Sequence, residues 1–189
     1  IGDDKNFSKD IDLQFRHTNR WSNILKKISK KQIKDDIFLS LIKFEDLLEE
    51  IINSFKETSS KKIELSSQDD KNKINIERSP EIIYGLRNFI GNAVKFSKSK
   101  VKIYLKSNDK EVTVNITDDG PGFPDDIFKF LGEPYIKSKS KATISNAGLG
   151  LGTFLGKTLL EKQGAKLNFK NNQNGAEVKI DFVLSKLIS

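Results

Sequence analysis

Cysteine is absent from this 189-residue chain, which excludes disulfides, thiolate metal sites and cysteine nucleophiles. There is one histidine, His17, and a single imidazole cannot build a histidine-based zinc site. No apolar run approaches the ~20 residues that a helix needs to span a bilayer. The first residues do not read as a signal peptide. Methionine is missing as well, and the chain begins at Ile1. A complete translation product starts with Met, so a piece of a longer protein is expected.

Apolar residues make up 36% of the chain, and thirteen Phe supply much of their bulk. That is enough for one core, and the length allows one ordinary domain plus an accessory element. The net charge of +7 raises the question of a nucleic-acid partner. The Lys residues are instead spread along the chain among Asn and Ile, and clustered base-reading or stacking residues are missing. No nucleic-acid role is expected.

Phe7, Ile11, Phe15, Trp21, Leu25 and Ile28 are mostly three and four apart, which predicts a helix with one apolar stripe. Such a helix is marginal alone in water. An antiparallel or dimeric bundle would bury the stripe; packing on its own domain is the alternative. A polar, basic connector follows at 29–36, so residues 1–36 are read as helix and linker and residues 37–189 as the main domain. A second amphipathic helix is predicted at 44–55, then half-buried strands at 62–65 and 73–76. Ser79, Pro80 and Glu81 carry the signature of a helix start, and that helix runs to about Ser97. Strands at 101–105 and 112–116 are joined by the turn 107–110. A short helical piece is placed near Ile127, and a helix at 151–162 ends at Gly164, a C-cap residue type. Leu167, Asn168 and Phe169 pair with 178–183 across Asn174-Gly175. The fold class predicted is an α/β (α+β) two-layer sandwich, a mixed sheet with helices on one face.

Three stretches carry chemistry. Asp118-Asp119-Gly120-Pro121-Gly122 follows an apolar strand, and its glycines allow close approach of a ligand. A carboxylate buried there needs a donor, and an exocyclic amine would serve; taken alone, the stretch reads rather as a hairpin turn. Gly148-Leu149-Gly150-Leu151-Gly152 runs into a helix N-terminus, where backbone N–H groups and the positive dipole end favour phosphate. It is neither a Walker A nor a Rossmann motif, and a flexible hinge is its bland reading. Asn88 and Asn92 share one helix face at i, i+4 spacing, with Lys95 and Phe96 on the next turn. Asn is not a preferred helix former, so a face given to amides suggests a ligand. Amide oxygens suit Mg²⁺, which keeps several waters and shares phosphate oxygens. A solvated polar face is the alternative.

In this order and spacing the three are far more specific. The run Leu86-Arg87-Asn88-Phe89-Ile90-Gly91-Asn92-Ala93-Val94-Lys95-Phe96-Ser97 closely resembles the N box of histidine kinases. Residues 118–122 resemble their G1 box and 148–152 their G2 box. The chain is thereby identified as a member of the GHKL superfamily of ATPases, with the Bergerat fold. The resemblance covers roughly residues 40–184 and implies the ATP-binding catalytic domain of a two-component sensor histidine kinase.

By that resemblance, Asn92 is the Mg²⁺ ligand, and Asn88 lies beside it in the nucleotide pocket. Lys95 approaches the phosphates, and Phe96 lies against the adenine. Asp118 accepts from the adenine amino group, and Gly120 and Gly122 let the backbone pass the nucleotide. Gly148, Gly150 and Gly152 bring N–H groups to the phosphates, with Leu149 and Leu151 between them and Thr153 as an extra donor. The segment 132–147 is the ATP lid, where Lys137, Lys139 and Lys141 are candidates to reach the triphosphate, one of them at most in contact. Glu133-Pro134-Tyr135 stands where many kinases carry a Phe-containing box. It matches instead the RegB/PrrB branch of redox-responsive kinases, as do Phe154, the run Lys157-Thr158-Leu159-Leu160-Glu161 and Gly164-Ala165, and Tyr135 joins the nucleotide-site residues. The segment Asn19-Arg20-Trp21-Ser22-Asn23-Ile24-Leu25 resembles the second helix of that branch's dimerisation bundle. The redox cysteine of the branch has no counterpart here.

The resemblance also implies cofactors and partners: ATP with Mg²⁺, a phosphoacceptor His on a bundle helix of the same or a partner chain, a response regulator, and a homodimeric full-length kinase. It places the domain on the cytoplasmic side of an inner-membrane sensor. His17, within Arg16-His17-Thr18-Asn19, lacks the His-Glu-x-x-x-Pro setting of a phosphoacceptor and reads as a solvated helical residue. The acceptor, and the base beside it, are expected outside this chain. Rival readings are Hsp90-like, MutL-like or gyrase-type ATPases, anti-sigma serine kinases, or a nucleotide-gated interaction module without transfer activity.

Overall fold

In the computed structural model, residues 41–68, 74–133 and 151–187 are described. The helix expected at 7–28, the connector at 29–36 and the segment 134–147 lie outside the described residues.

Strand β1 (Leu41–Lys43) leads directly into helix α1 (Phe44–Lys56). Phe44, Leu47, Leu48, Ile51 and Ile52 are its buried residues, one helical face, and Glu45 and Asp46 in the first turn with Lys56 in the last suit the macrodipole. Strand β2 (Lys62–Gln68) comes next, then β3 (Asn75–Glu77). The segment expected at 73–76 is therefore a strand, but it pairs antiparallel with β1, with Ile42 opposite Ile76, and not with the main sheet. Three residues of β1 are too few for alternation to reveal them.

Helix α2 (Pro80–Phe96) starts as its sequence predicts. Ser79 Oγ accepts from the Ile82 N–H at 3.4 Å, and Pro80 occupies the first turn, where its missing N–H costs nothing. Strands β4 (Lys100–Ser107) and β5 (Glu111–Asp118) follow as a hairpin, and a short helix α3 (Asp125–Phe128) lies beyond them. Helix α4 (Leu151–Lys162) closes with the Gly164 N–H bonded to Glu161 O at 2.9 Å. The last pair is β6 (Lys166–Asn172) and β7 (Gly175–Val183), ended by a 3₁₀ turn at Leu184–Lys186.

Five strands form one sheet in the order β2-β4-β5-β7-β6. Only β2 and β4 are parallel; the other neighbours are antiparallel. Val101, Ile103, Leu105, Val112, Val114, Ile116, Val178, Ile180 and Phe182 are buried and pack with the apolar faces of α1 and α2 in a single core. The alternate residues, such as Lys102, Tyr104 and Lys179, turn to the opposite face. This is the two-layer α/β sandwich the period-2 and period-3.6 patterns imply.

Helices α2 and α4 cross at unusually close range. A Cβ on Gly85 would come within 2.5 Å of Leu160 Cδ2, and one on Gly156 would meet Phe89 at 3.0 Å and Asn88 Cβ at 3.1 Å. Leu160 is fully buried at that crossing. Glycine is unfavourable inside a helix by about 1 kcal/mol, and here the gain is contact between backbones. We expect Gly85→Ala to destabilise the fold by about 1–3 kcal/mol through overpacking. In denaturant unfolding, the loss for Gly85→Ala combined with Leu160→Ala should be smaller than the sum of the single losses. Additive losses would show that the crossing is not limited by this contact.

Candidate functional site

Helix α2 is the wall on which the candidate residues collect. Asp118 continues the inward register of Val112, Val114 and Ile116 past the end of the apolar run, so its carboxyl faces the helix layer. It is half-buried. Its Oδ1 accepts from the Gly120 N–H at 2.8 Å and the Ala176 N–H at 3.4 Å. Among the described residues no hydrogen bond to Oδ2 is found. Loss of hydration pushes its pKa above the ordinary value; the two N–H donors oppose the rise, and the neighbouring charge of Asp119 adds to it. A carboxyl with a free oxygen in a partly dehydrated niche is suited to accept from a ligand's N–H.

The loop after Asp118 abuts the end of α2. A Cβ on Gly120 would lie 2.4 Å from the carbonyl oxygen of Phe96, so no side chain fits there. Gly122 has φ of +81°, a left-handed conformation natural to glycine. Gly175, at the start of β7, touches the same strand end: its Cβ would stand 2.2 Å from Asp118 O.

Asp119 faces away from Asp118 and does different work. Its Oδ1 accepts from the N–H groups of Lys98 at 2.8 Å, Ser99 at 3.0 Å and Lys100 at 3.0 Å, and its Oδ2 from Ser99 Oγ at 2.6 Å. Three successive amides around one anion form a nest. The Ser99 hydroxyl and the surrounding amides hold the Asp119 pKa well below the carboxylate range. The carbonyls of the same bend are taken by Lys61, whose Nζ donates to Ser97 O at 2.8 Å and to Lys98 O. The segment joining α2 to β4 is thus gripped from both sides.

At the other side of the wall, α4 presents its first turn to the amides. Asn92 Nδ2 donates to Thr153 Oγ1 at 3.2 Å, and Asn88 Oδ1 lies 3.3 Å from where a Gly152 Cβ would be. Asn88 Nδ2 caps back onto Tyr84 O at 2.7 Å. Lys95 Nζ sits 5.2 Å from the centre of the Phe96 ring, which is 37% exposed and so open to a stacking partner. Leu151 opens α4. The structure therefore brings Asn88, Asn92, Gly152 and Thr153 together, and separately Asp118, Gly120 and Phe96. Tyr135, Lys137, Lys139, Lys141, Gly148, Leu149 and Gly150 lie outside the described residues, as does His17.

Four features escaped the sequence reading: the Asp119 nest, Lys61, the Gly85–Gly156 crossing and Asn171. Asn171 donates its Nδ2–H to Phe123 O at 2.8 Å and accepts the Phe123 N–H at 2.7 Å. Asn171 continues the register of Leu167 and Phe169 along β6, but it is exposed, and an exposed amide in a polar run carries no local sign of a partner.

A carboxylate with one unclaimed oxygen lies at one end of α2, amides lie along it, and the first turn of α4 stands against those amides. Residues 77–186, more than half of the chain, match the family of histidine kinase-, DNA gyrase B- and HSP90-like ATPases. The chain belongs to that family. It is 41% identical over 101 residues to sensor histidine kinase RegB of Cereibacter sphaeroides, spanning 51% of this chain and 22% of RegB. Over 142 residues it is 30% identical to sensor protein KdpD of Clostridium acetobutylicum, 70% of this chain and 15% of that protein. The chain thus covers about a fifth of the length of such relatives. The catalytic domain of histidine kinase ThkA superposes with a TM-score of 0.63 at 21% identity, covering 76% of this chain and 96% of that domain. The fold is the Bergerat fold of histidine kinase catalytic domains.

The two aspartates should reveal themselves in acid. Asp119, with its depressed pKa, contributes stability that is present above the unfolded-state value and lost as pH falls through the folded one. Asp118 has the opposite sign: its contribution is complete below the unfolded-state value and lost as pH rises through the raised one. Asp119→Ala is therefore expected to lower the unfolding midpoint at neutral pH. The gap from the unsubstituted chain should narrow below about pH 4; a gap independent of pH would contradict the ionic nest.

Proposed function

We propose that this chain is the ATP-binding catalytic domain of a two-component sensor histidine kinase. In this reading it binds Mg·ATP and donates the γ-phosphate to a histidine on a bundle helix outside the chain, for relay to a response regulator aspartate. Residues 37–189 act as the catalytic unit, and residues 1–36 as the end of a dimerisation bundle joined by a linker. The observation that carries the reading is the seating of the first turn of α4 against Asn88 and Asn92, with Asp118 beside the far end of α2.

The residues fit such a ligand. Asn92 gives its N–H to Thr153 and keeps its amide oxygen for a hard cation, and a cation held by one amide oxygen suits Mg²⁺, which draws its other ligands from phosphate and water. Mg²⁺, when bound, supplies charge neutralisation on the triphosphate. Asp118 selects the base by accepting from its exocyclic amine, and Phe96 offers a face to the ring. The N-terminus of α4, with Gly152 and Thr153, meets the phosphates with N–H groups and dipole, and Lys95 adds positive charge. Phosphoryl transfer demands mainly positioning and electrostatic stabilisation, so the chain needs no nucleophile of its own. By the resemblance, Gly148 and Gly150 add N–H groups for the phosphates, Tyr135 belongs to the nucleotide site, and one of Lys137, Lys139 and Lys141 reaches the triphosphate. His17 is no part of this chemistry.

The likeness to RegB further supports a homodimeric full-length kinase, with this domain on the cytoplasmic side of an inner-membrane sensor. No described helix is long and apolar enough to cross a membrane. Control through a thiol is not available within this chain, which has no cysteine.

Two measurements test the proposal. Asp118→Asn should weaken ATP binding at least 10-fold, because the amide presents a donor toward the base's own donor, while stability at neutral pH holds or rises once a dehydrated carboxylate is gone. ATP affinity untouched by this change would remove Asp118 from the site. Mixed with a bundle fragment carrying the acceptor histidine and labelled ATP, the chain should place acid-labile phosphate on that fragment. Acid-stable label on serine would instead mark an anti-sigma type of kinase.

A further inference from the structure

The loop leaving Asp118 is fastened to the sheet through one side chain. Asn171 takes both peptide groups of Phe123, its N–H at 2.7 Å and its carbonyl at 2.8 Å. A single amide thus supplies both halves of a strand–strand hydrogen-bond pair. Just before it, a Cβ on Gly122 would lie 2.8 Å from Asn171 Oδ1 and would push that amide off Phe123. The Phe123 ring stands edge-on to Phe169 at 5.8 Å, and Phe169 lies 6.0 Å from Phe89 of α2. Two residues before Gly122, the Gly120 N–H holds Asp118 Oδ1. The run from Asp118 to Phe123 is therefore fixed at both ends, by Asp118's own turn and by Asn171.

We propose that Asn171 is a specificity-determining positioning residue: by locking the peptide groups of Phe123 it fixes the line along which the Asp118 carboxyl accepts a hydrogen bond from a purine's exocyclic amine. This rests on the reading of Asp118 as the base-recognition residue. Asn171 is itself exposed and lies outside the core, so removing it opens no cavity and leaves the packing of the sandwich intact. What it removes is the loop's anchor. A hydrogen bond that discriminates between bases depends on placement, and a loosened loop costs the correct base more than the wrong one.

The test is equilibrium titration of the 189-residue chain with Mg·ATP and Mg·GTP, for the unsubstituted chain, Asn171→Ala, Asn171→Asp and Asp118→Asn. Asn171→Ala should weaken ATP binding about 10-fold, the scale of one or two lost hydrogen bonds, and GTP binding much less, so the preference for ATP shrinks. Asn171→Asp keeps an acceptor for the Phe123 N–H but sets an oxygen against the Phe123 carbonyl, and should behave like the alanine variant. Exchange of the Phe123 amide should quicken in both while the unfolding midpoint stays nearly constant. An unchanged ATP-to-GTP ratio in Asn171→Ala, with Asp118→Asn still weakening ATP binding at least 10-fold, overturns this inference alone. Equal weakening of both nucleotides alongside a large fall in the midpoint reduces Asn171 to a structural part. If the unsubstituted chain binds no nucleotide saturably, the proposed function falls too.

Discussion

The contact on which the rest depends is the glycine-to-glycine crossing of α2 and α4. Apolar helices normally keep their axes apart by the width of their side chains. At Gly85 and Gly156 that spacer is missing, so α4 lies close against α2 and its first turn is carried to Asn88 and Asn92. Were the crossing held open by ordinary side chains, Thr153 would lose its reach to Asn92, and the helix N-terminus would face solvent instead of the amides. The arrangement of wall and helix end thus rests on two absent methyl groups, with Leu160 and Phe89 packed into the space they leave.

The other half of the pocket is built by dividing labour between two adjacent carboxylates of the same kind. Alternation along β5 turns Asp118 inward, and Asp119, in the bend just beyond the strand, reaches the amides of 98–100. Asp118 is kept partly dehydrated with one oxygen unclaimed, whereas Asp119 is saturated by the amides of 98–100. Asp119 holds the bend between α2 and β4, and that bend sets where the C-terminal end of α2, with Lys95 and Phe96, meets the strand end that bears Asp118. A fully hydrogen-bonded carboxylate thus stands next to one with an unclaimed oxygen, and each environment shifts its aspartate in its own direction.

Much of this was legible in the chain. Strong periodicity exposed α1, α2, α4 and the two hairpins, and the capping signature at Ser79 marked the start of α2 within a residue. The three box-like stretches named the candidate site because glycine, asparagine and aspartate at those spacings have few other uses together. What stayed hidden depended on tertiary partners. Gly85 and Gly156 read only as weak helix residues, since nothing local says that they face one another. Lys61 is one lysine among many until the carbonyls of Ser97 and Lys98 are seen to converge on it. Asn171 is an exposed amide in a polar run that reads as a turn, and only the folded loop shows that it meets Phe123. The strand Leu41–Lys43 is too short for any pattern to announce.

The two strands that come last in the sequence, β6 and β7, do more than widen the sheet. They supply the Ala176 amide that steadies Asp118 and the Asn171 anchor of the loop beyond it, and Gly175 presses on the strand end between them. During synthesis the earlier elements emerge first and can collapse around α1 and α2 while the corner at Asp118 is still without these supports. The surroundings of Asp118 are thereby tied to the completion of the sheet: until β6 and β7 pair, the Ala176 amide and the Asn171 anchor are both missing.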